Sequence, residues 1–180
     1  MRWLAGIALL GLAACAELPA PIPPATTESA QPVLGPPLLR FVADGRIALR
    51  SGERHDHLRF HWEHSPEHDS VLLLSPLGQG LAELTRDASG ARLTQPNQPP
   101  RVASDLRLLA QDVLGTPLPL EALADWLRGA HPELQGAVDG WQVTVSETTP
   151  YRQRRLLRVL EARREQNELK LIVDEWEADE

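Results

Sequence analysis

The spacing of apolar residues divides the chain into a strand-rich part, a helical part and a second strand-rich part. The segment from Asp56 to His64 alternates apolar and polar residues, and Leu58, Phe60 and Trp62 share one face. A period of two is typical of a half-buried β-strand. Short runs of similar character, separated by turn residues at hairpin distances, occupy residues 40–50, 70–75, 80–87, 91–95 and 100–104. These spacings predict an antiparallel meander.

After residue 104 the apolar spacing becomes that of an amphipathic helix. Ser104 can cap this helix, and Gly115 and Pro117 end it. A second short helix with the same spacing follows and ends at Gly129. The apolar residues of the two helices include Leu106, Leu109, Val113, Leu123, Trp126 and Leu127.

Strand patterns resume near the end of the chain, at residues 139–147 and 168–176. Residues 154–162 are compatible with either strand or helix, because Leu, Arg and Glu favour helices. The predicted fold is mainly β, of the α+β class, with a curled antiparallel sheet and two helices inserted late. The helices can cover the apolar face of the sheet, which leaves either a packed core or a cavity beneath them.

The N-terminus has the pattern of a secretory signal. Arg2 is followed by an apolar or small run from Trp3 to Ala14, which is shorter than the roughly 20 residues that span a bilayer. The sequence LAAC, from Leu12 to Cys15, matches the bacterial lipobox. We therefore predict a signal peptide at 1–14, and diacylglycerol and an N-acyl chain, such as palmitate, on Cys15. The alternative is an ordinary secreted protein in which a cysteine follows the signal by chance.

The residues after Cys15 predict where the anchored protein lies. Ala16, rather than Asp, follows the cysteine, which favours sorting to the outer membrane of Gram-negative bacteria. Residues 16–37 contain seven prolines and tend to extended polyproline II structure. We predict a lipidated tether at 15–37, anchored in the inner leaflet, and a periplasmic domain at 38–180. A plain disordered leader remains an alternative to the tether.

Composition and motifs argue against several classes of function. The formal net charge of −7 does not suit nucleic acid. A single cysteine forms neither an internal disulfide nor a thiolate metal cluster. The sequence contains no GxxxxGK[ST], GxSxG or HExxH motif, so it predicts no enzyme, and no cofactor apart from the lipid on Cys15.

A group of histidines lies between residues 55 and 68. His57 and His61 share a strand face with Glu63, a combination that suits zinc. That face is the polar one, so we interpret the group as a solvated surface and predict no metal site.

Several longer motifs occur in a definite order. They are GRIALR (45–50), LRFHW (58–62), LLLSPLGQGLAEL (72–84), VLGTPLPLEALADWLRG (113–129), DGW (139–141) and LIVDEW (171–176). This set follows a lipobox, and the similarity extends in order over nearly all of residues 38–176. In this order the motifs resemble the LolB family, the outer-membrane receptors of the lipoprotein localisation pathway.

The resemblance implies an incomplete antiparallel β-barrel with a short helical lid, as in LolA and LolB. It also implies a chaperone whose hydrophobic cavity receives triacylated lipoproteins from the periplasmic carrier LolA and delivers them to the outer membrane. The expected partners are a LolA-like carrier, the acylated cargo and outer-membrane phospholipid. We expect a monomer that binds no nucleic acid.

The resemblance assigns roles to particular residues. The proposed acyl-chain cavity contains Leu58, Phe60, Trp62, Leu72, Leu74, Trp141, Val143 and Leu171. The proposed lid contains Leu106, Leu109, Val113, Leu123, Trp126 and Leu127. Leu77, in the turn SPLG, corresponds to a protruding apolar residue that contacts the membrane during delivery. From the residues alone, the strand positions fit an ordinary sheet core, and Leu77 could fold back onto that core.

Two other functions stay open at this point. One is a lipid-anchored envelope scaffold or binding module with a filled core. The other is a metal-binding lipoprotein that uses the histidine group. Binding of an apolar probe distinguishes the first from a cargo receptor, and zinc titration of His57→Ala and His61→Ala variants tests the second.

Overall fold

The computed structural model describes residues 34–179. The predicted signal peptide, the lipidation site Cys15 and the tether up to residue 33 lie outside the described residues. No helix in the described part of the chain is long and apolar enough to cross a membrane.

The described residues contain ten strands and two helices. The strands before the helices are β1 (Phe41–Ser51), β2 (Arg54–Ser65), β3 (His68–Leu74), β4 (Gly80–Asp87), β5 (Gly90–Thr94) and β6 (Arg101–Ala103). The helices are α1 (Leu106–Leu114) and α2 (Leu120–Leu127). The strands after them are β7 (Gln135–Val138), β8 (Trp141–Tyr151), β9 (Arg154–Arg164) and β10 (Asn167–Ala178).

All ten strands belong to one open antiparallel sheet, in the order β6-β5-β4-β3-β2-β1-β10-β9-β8-β7. The first and last strands meet in the middle, where Phe41 pairs with Ala178 and Ser51 with Asn167. The two edge strands, β6 and β7, are consecutive in the chain and are joined through the helices. The predicted fold class, mainly antiparallel sheet with two late helices, is confirmed.

A single apolar core lies between the helices and one face of the sheet, which we call the inner face. Its largest fully buried side chains are Trp62, Trp126, Trp141 and Phe60. Helix α1 packs against β4, β5 and β6, and α2 packs against α1 and β9. The described residues therefore carry an apolar core of their own.

Local structure differs from the sequence predictions at three places. Asp105, rather than Ser104, caps α1, because its carboxylate accepts a hydrogen bond from the backbone N–H of Leu108 at 3.0 Å. The ambiguous segment forms β9, because pairing with β8 and β10 outweighs its helix propensity. The short edge strand β7 was not predicted.

The packed part of the chain also begins earlier than the predicted boundary at residue 38. Leu34 is 5% exposed. Arg154 donates to the carbonyl oxygens of Leu34, at 3.0 Å, and of Pro36, and the backbone N–H of Leu38 donates to the carbonyl of Arg128 at 2.8 Å. Residues 34–37, which we assigned to the tether, are therefore held against the domain.

Candidate functional site

The inner face brings together most of the residues predicted to line a cavity. Phe60 and Trp62 on β2 are fully buried there, as are Trp141 and Val143 on β8 and Leu171 on β10. Leu58 is partly buried and packs against the same core. The alternation in the sequence thus placed these six side chains on the correct side of the sheet.

The placement of Leu72 and Leu74 on this face is wrong. In the pairing of β2 with β3, Trp62 lies opposite Val71 and Phe60 opposite Leu73. Val71 and Leu73 therefore point inward and are each 1% exposed, whereas Leu72 and Leu74 lie on the outer face.

The predicted lid residues lie on the two helices and face the core. Leu106, Leu109, Leu123, Trp126 and Leu127 are buried, and Val113 is partly buried against the same core. The helices thus cover the inner face. Whether they move as a lid stays a prediction.

A small cavity lies beneath the helices. Its volume is about 10 Å³, which is close to the space that one water molecule needs. Its wall combines sheet residues, such as Trp62, Leu73 and Leu171, with Leu114 and Leu123 from the helices. This volume is far smaller than an acyl chain.

The loop after β3 presents Leu77 to solvent. Its side chain is 93% exposed, so it does not fold back onto the core. Hydrogen bonds from Ser75 N–H to the Gln79 carbonyl (2.8 Å) and from Gly78 N–H to the Ser75 carbonyl (2.9 Å) fix the loop. Gly78 has φ of 86°, a left-handed conformation that glycine adopts without strain. The predicted exposure of Leu77 is confirmed, and its contact with a membrane stays a prediction.

Sequence reasoning missed a buried polar cluster around Asp69, whose side chain is 1% exposed. Its carboxylate accepts hydrogen bonds from Trp62 Nε1 (3.2 Å), His64 Nδ1 (2.7 Å) and Arg86 Nε (2.9 Å), and a further one from Arg86 Nη2. Burial alone would raise the pKa of Asp69, but the hydrogen bonds from His64 and Arg86 outweigh it and lower that pKa. Asp69 lies two residues before Val71 and four before Leu73, so its side chain points to the same face of β3. This spacing is the signal in the sequence that could have identified it.

The histidines of the predicted group have separate surroundings. His61 Nδ1 lies 2.9 Å from Asp44 Oδ1, and His61 Nε2 lies 3.1 Å from Glu63 Oε1. Partial burial acts to lower the pKa of His61, but its hydrogen bonds to these two carboxylates outweigh that effect and raise the pKa above its ordinary value. Among residues 34–179, no group of three or more His, Cys, Asp or Glu side chains is placed to hold a metal ion.

Known proteins resemble this chain in sequence and in fold. Residues 40–176 match the family model described as outer membrane lipoprotein LolB. An outer-membrane lipoprotein LolB of Nitrosomonas europaea is 32% identical, with 98% of this chain and 92% of that protein aligned. Another, from Thiobacillus denitrificans, is 34% identical, with 99% of each aligned.

Similarity also extends to solved structures. A LolA superfamily protein from Nitrosomonas europaea superposes with a TM-score of 0.54, over 82% of this chain and 89% of that one. The sequence identity is 11%, so the likeness concerns the fold alone.

Proposed function

The chain belongs to the LolB family, the outer-membrane lipoproteins of the lipoprotein localisation pathway, and from this premise we propose that it receives triacylated lipoproteins from a LolA-like periplasmic carrier. It then inserts them into the inner leaflet of the outer membrane. Members of this family transport lipoproteins and are not enzymes.

The observation that carries this proposal is an apolar sheet face that two short helices cover in the described part of the chain. Helices α1 and α2 have nine and eight residues, and helices of this length are marginal on their own in water. Their cover depends on side-chain packing, because the ten strands pair only with one another. The helices can therefore leave the inner face without breaking the hydrogen bonds between strands.

The proposed binding is reversible because the inner face of the sheet exchanges its contacts with the two helices for contacts with the acyl chain. Moving each methylene of an acyl chain from water into the apolar core is favourable by about 0.8 kcal/mol of free energy. Some of this gain is offset when the leucines of α1 and α2 lose their own contacts with the sheet. The net affinity is then moderate, which suits a protein that must pass its cargo to a membrane.

The predicted anchor fits the same role. A lipid on Cys15 would hold the protein at the inner leaflet with the domain in the periplasm, and several acyl chains together anchor far more firmly than one. The tether would let the domain reach both an incoming carrier and the membrane surface.

Transfer of cargo between purified proteins tests the proposal. Residues 16–180, which retain the whole described core, are mixed with a LolA carrier that holds a triacylated lipoprotein. We expect the acylated cargo to move to this protein and a non-acylated version of the cargo to remain behind. Absence of transfer to a folded protein would contradict the proposal and support a scaffold with a filled core.

A further inference from the structure

The described residues contain four tryptophans, and their indole N–H groups fall into two classes. Trp62 donates to Asp69 Oδ1 at 3.2 Å, and Trp176 donates to the carbonyl of Leu157 at 2.9 Å. The indole nitrogens of Trp126 and Trp141 are buried and have no hydrogen-bond partner. These two residues are 2% and 0% exposed, so bulk water does not supply the missing acceptors.

An unpaired N–H in an apolar interior is unfavourable. Buried tryptophans usually have a hydrogen-bond partner for this group. A buried donor without a partner loses its hydrogen bond to water and forms no other, which destabilises the folded protein. A phenylalanine at either position would keep an aromatic ring in the core and bring no such donor. Two unpaired indoles in one core therefore point to an acceptor that arrives with a ligand.

The two indoles lie on the same region of the inner face. Trp126 belongs to α2 and covers β7, because a Cβ built on Gly136 would lie 3.2 Å from Trp126 Cζ2. Gly136 pairs with Val143 in β8, and Val143 is two residues from Trp141 on the same face. One donor thus comes from the helical cover and the other from the sheet beneath it.

The chemistry of the pair selects the kind of acceptor. An indole N–H is only a donor, so the ligand must present a hydrogen-bond acceptor. Neither indole carries a charge, and the surrounding core is apolar apart from the His131 ring, which stacks on Trp126 at 4.0 Å. A phosphate or carboxylate buried there would lose its hydration and gain only these neutral donors. A neutral carbonyl attached to long apolar chains meets both conditions.

We propose that the N–H groups of Trp126 and Trp141 donate hydrogen bonds to the ester carbonyls of the diacylglycerol group on the cargo. This inference rests on the proposed function, because it assumes that acyl chains enter the core. The two donors favour ester-linked chains over ether-linked chains, which have no carbonyl, and they place the glycerol end of the cargo beside β7 and β8.

A pair of lipids that differ only in the carbonyl tests this proposal. The probes are dipalmitoylglycerol, which has ester links, and dihexadecylglycerol, which has ether links and no carbonyl. Residues 16–180 are labelled with ¹⁵N, and the indole N–H resonances are followed by NMR as each probe is added. Phenylalanine variants, each lacking one indole, assign the four resonances.

We expect the ester probe to shift the indole N–H proton resonances of Trp126 and Trp141 downfield. The ether probe has no carbonyl and should cause no downfield shift. The resonances of Trp62 and Trp176 should move little, because their N–H groups already have acceptors within the protein. Trp126→Phe and Trp141→Phe should each weaken ester binding relative to ether binding by about twofold to tenfold. The control Trp176→Phe should preserve the preference for the ester.

The outcomes separate this inference from the proposed function. Equal binding of both probes with no shift of either indole would overturn the ester site and leave acyl-chain binding intact. Failure of both probes to bind a folded protein would overturn the proposed function and the ester site together. A downfield position of both resonances before any probe is added would mean that an internal water already serves as the acceptor, and it would also refute the site.

Discussion

The carboxylate of Asp69 connects three neighbouring strands, because it lies on β3 and its donors lie on β2 and β4. We expect Asp69→Asn to lower the free energy of unfolding by about 3 kcal/mol, since the change leaves Arg86 without its buried partner. Urea denaturation measures the effect. Asp87→Asn is a matched control, because Asp87 is exposed and bonds only to Ser89, and it should change stability far less.

The same carboxylate predicts a pH dependence. The pKa of Asp69 is lowered in the folded protein, so the unfolded chain takes up the proton first as pH falls. The stabilisation is therefore complete above the ordinary pKa of aspartate, about 3.9, and is lost as pH falls through the folded pKa. Between about pH 6 and pH 3, wild type should lose more stability than Asp69→Asn. Parallel losses in the two proteins would contradict this assignment.

Leu77 allows a test of delivery without disturbing the core. Leu77→Glu replaces a fully solvated apolar side chain with a charged one, so folding and cargo uptake should be unchanged. Insertion of cargo into phospholipid vesicles should fall roughly tenfold or more, since burying a leucine contributes about 1.5–3 kcal/mol.

Flotation of vesicles with labelled cargo measures the insertion. Leu39→Glu is the control, because Leu39 is also an exposed leucine, at 71%, but lies outside the loop. Delivery by the Leu77 variant at the wild-type rate would remove the membrane role from this residue.

Two strands show which parts of the site could be predicted from the sequence. In β2, strict alternation assigned Leu58, Phe60 and Trp62 to one face, and the structure agrees. In β3, the run Val71 to Leu74 is apolar throughout, so its sequence contains no alternation that identifies the inner face. Pairing with β2 makes that choice, and this pairing also determines that Asp69 is buried.

The unpaired indoles of Trp126 and Trp141 could not be predicted at all. A sequence shows that a tryptophan is present and suggests that it is buried, but the partner of its N–H depends on distant backbone and side chains. Trp62 finds Asp69 across a hairpin, whereas Trp126 and Trp141 find no acceptor.

At the scale of one element, β1 depends on a glycine. The register with β10 shifts between Asp44 and Gly45, and a Cβ on Gly45 would lie 2.1 Å from the carbonyl oxygen of Ile172. It would also lie 2.8 Å from the ring of Phe60. This close approach explains why the motif GRIALR begins with glycine.

We expect Gly45→Ala to destabilise the protein by at least about 1–3 kcal/mol, because neither the backbone of β10 nor the buried ring can move aside easily. Gly80→Ala is the matched control, since a Cβ at that strand position meets nothing within 4 Å. Urea denaturation of both variants measures the difference. An equal effect at the two positions would show that the close approach at Gly45 is not the cause.

At the scale of the whole molecule, the two helices are freer to move than the sheet they cover. The cavity of about 10 Å³ is too small for an acyl chain, so the proposed binding requires α1 and α2 to move aside while the strands keep their pairing. Hydrogen exchange should therefore become faster at residues 106–127 when dipalmitoylglycerol binds, and stay slow in β1, β2 and β10. The solvent used to add the lipid serves as the control, and slower exchange in both helices would contradict the displacement.

The position of β1 beside β10 also has a consequence for folding. Every other pair of neighbouring strands is consecutive in the sequence, so each can form as a local hairpin. The pair β1–β10 must close a loop that includes nearly the whole domain, and the entropy of closure rises by about 0.6 kcal/mol for each doubling of loop length. Relative to a hairpin turn, this is roughly five doublings, or about 3 kcal/mol. Two meanders, β1–β6 and β7–β10, should therefore form early, and their union along this central seam should be the slow final step.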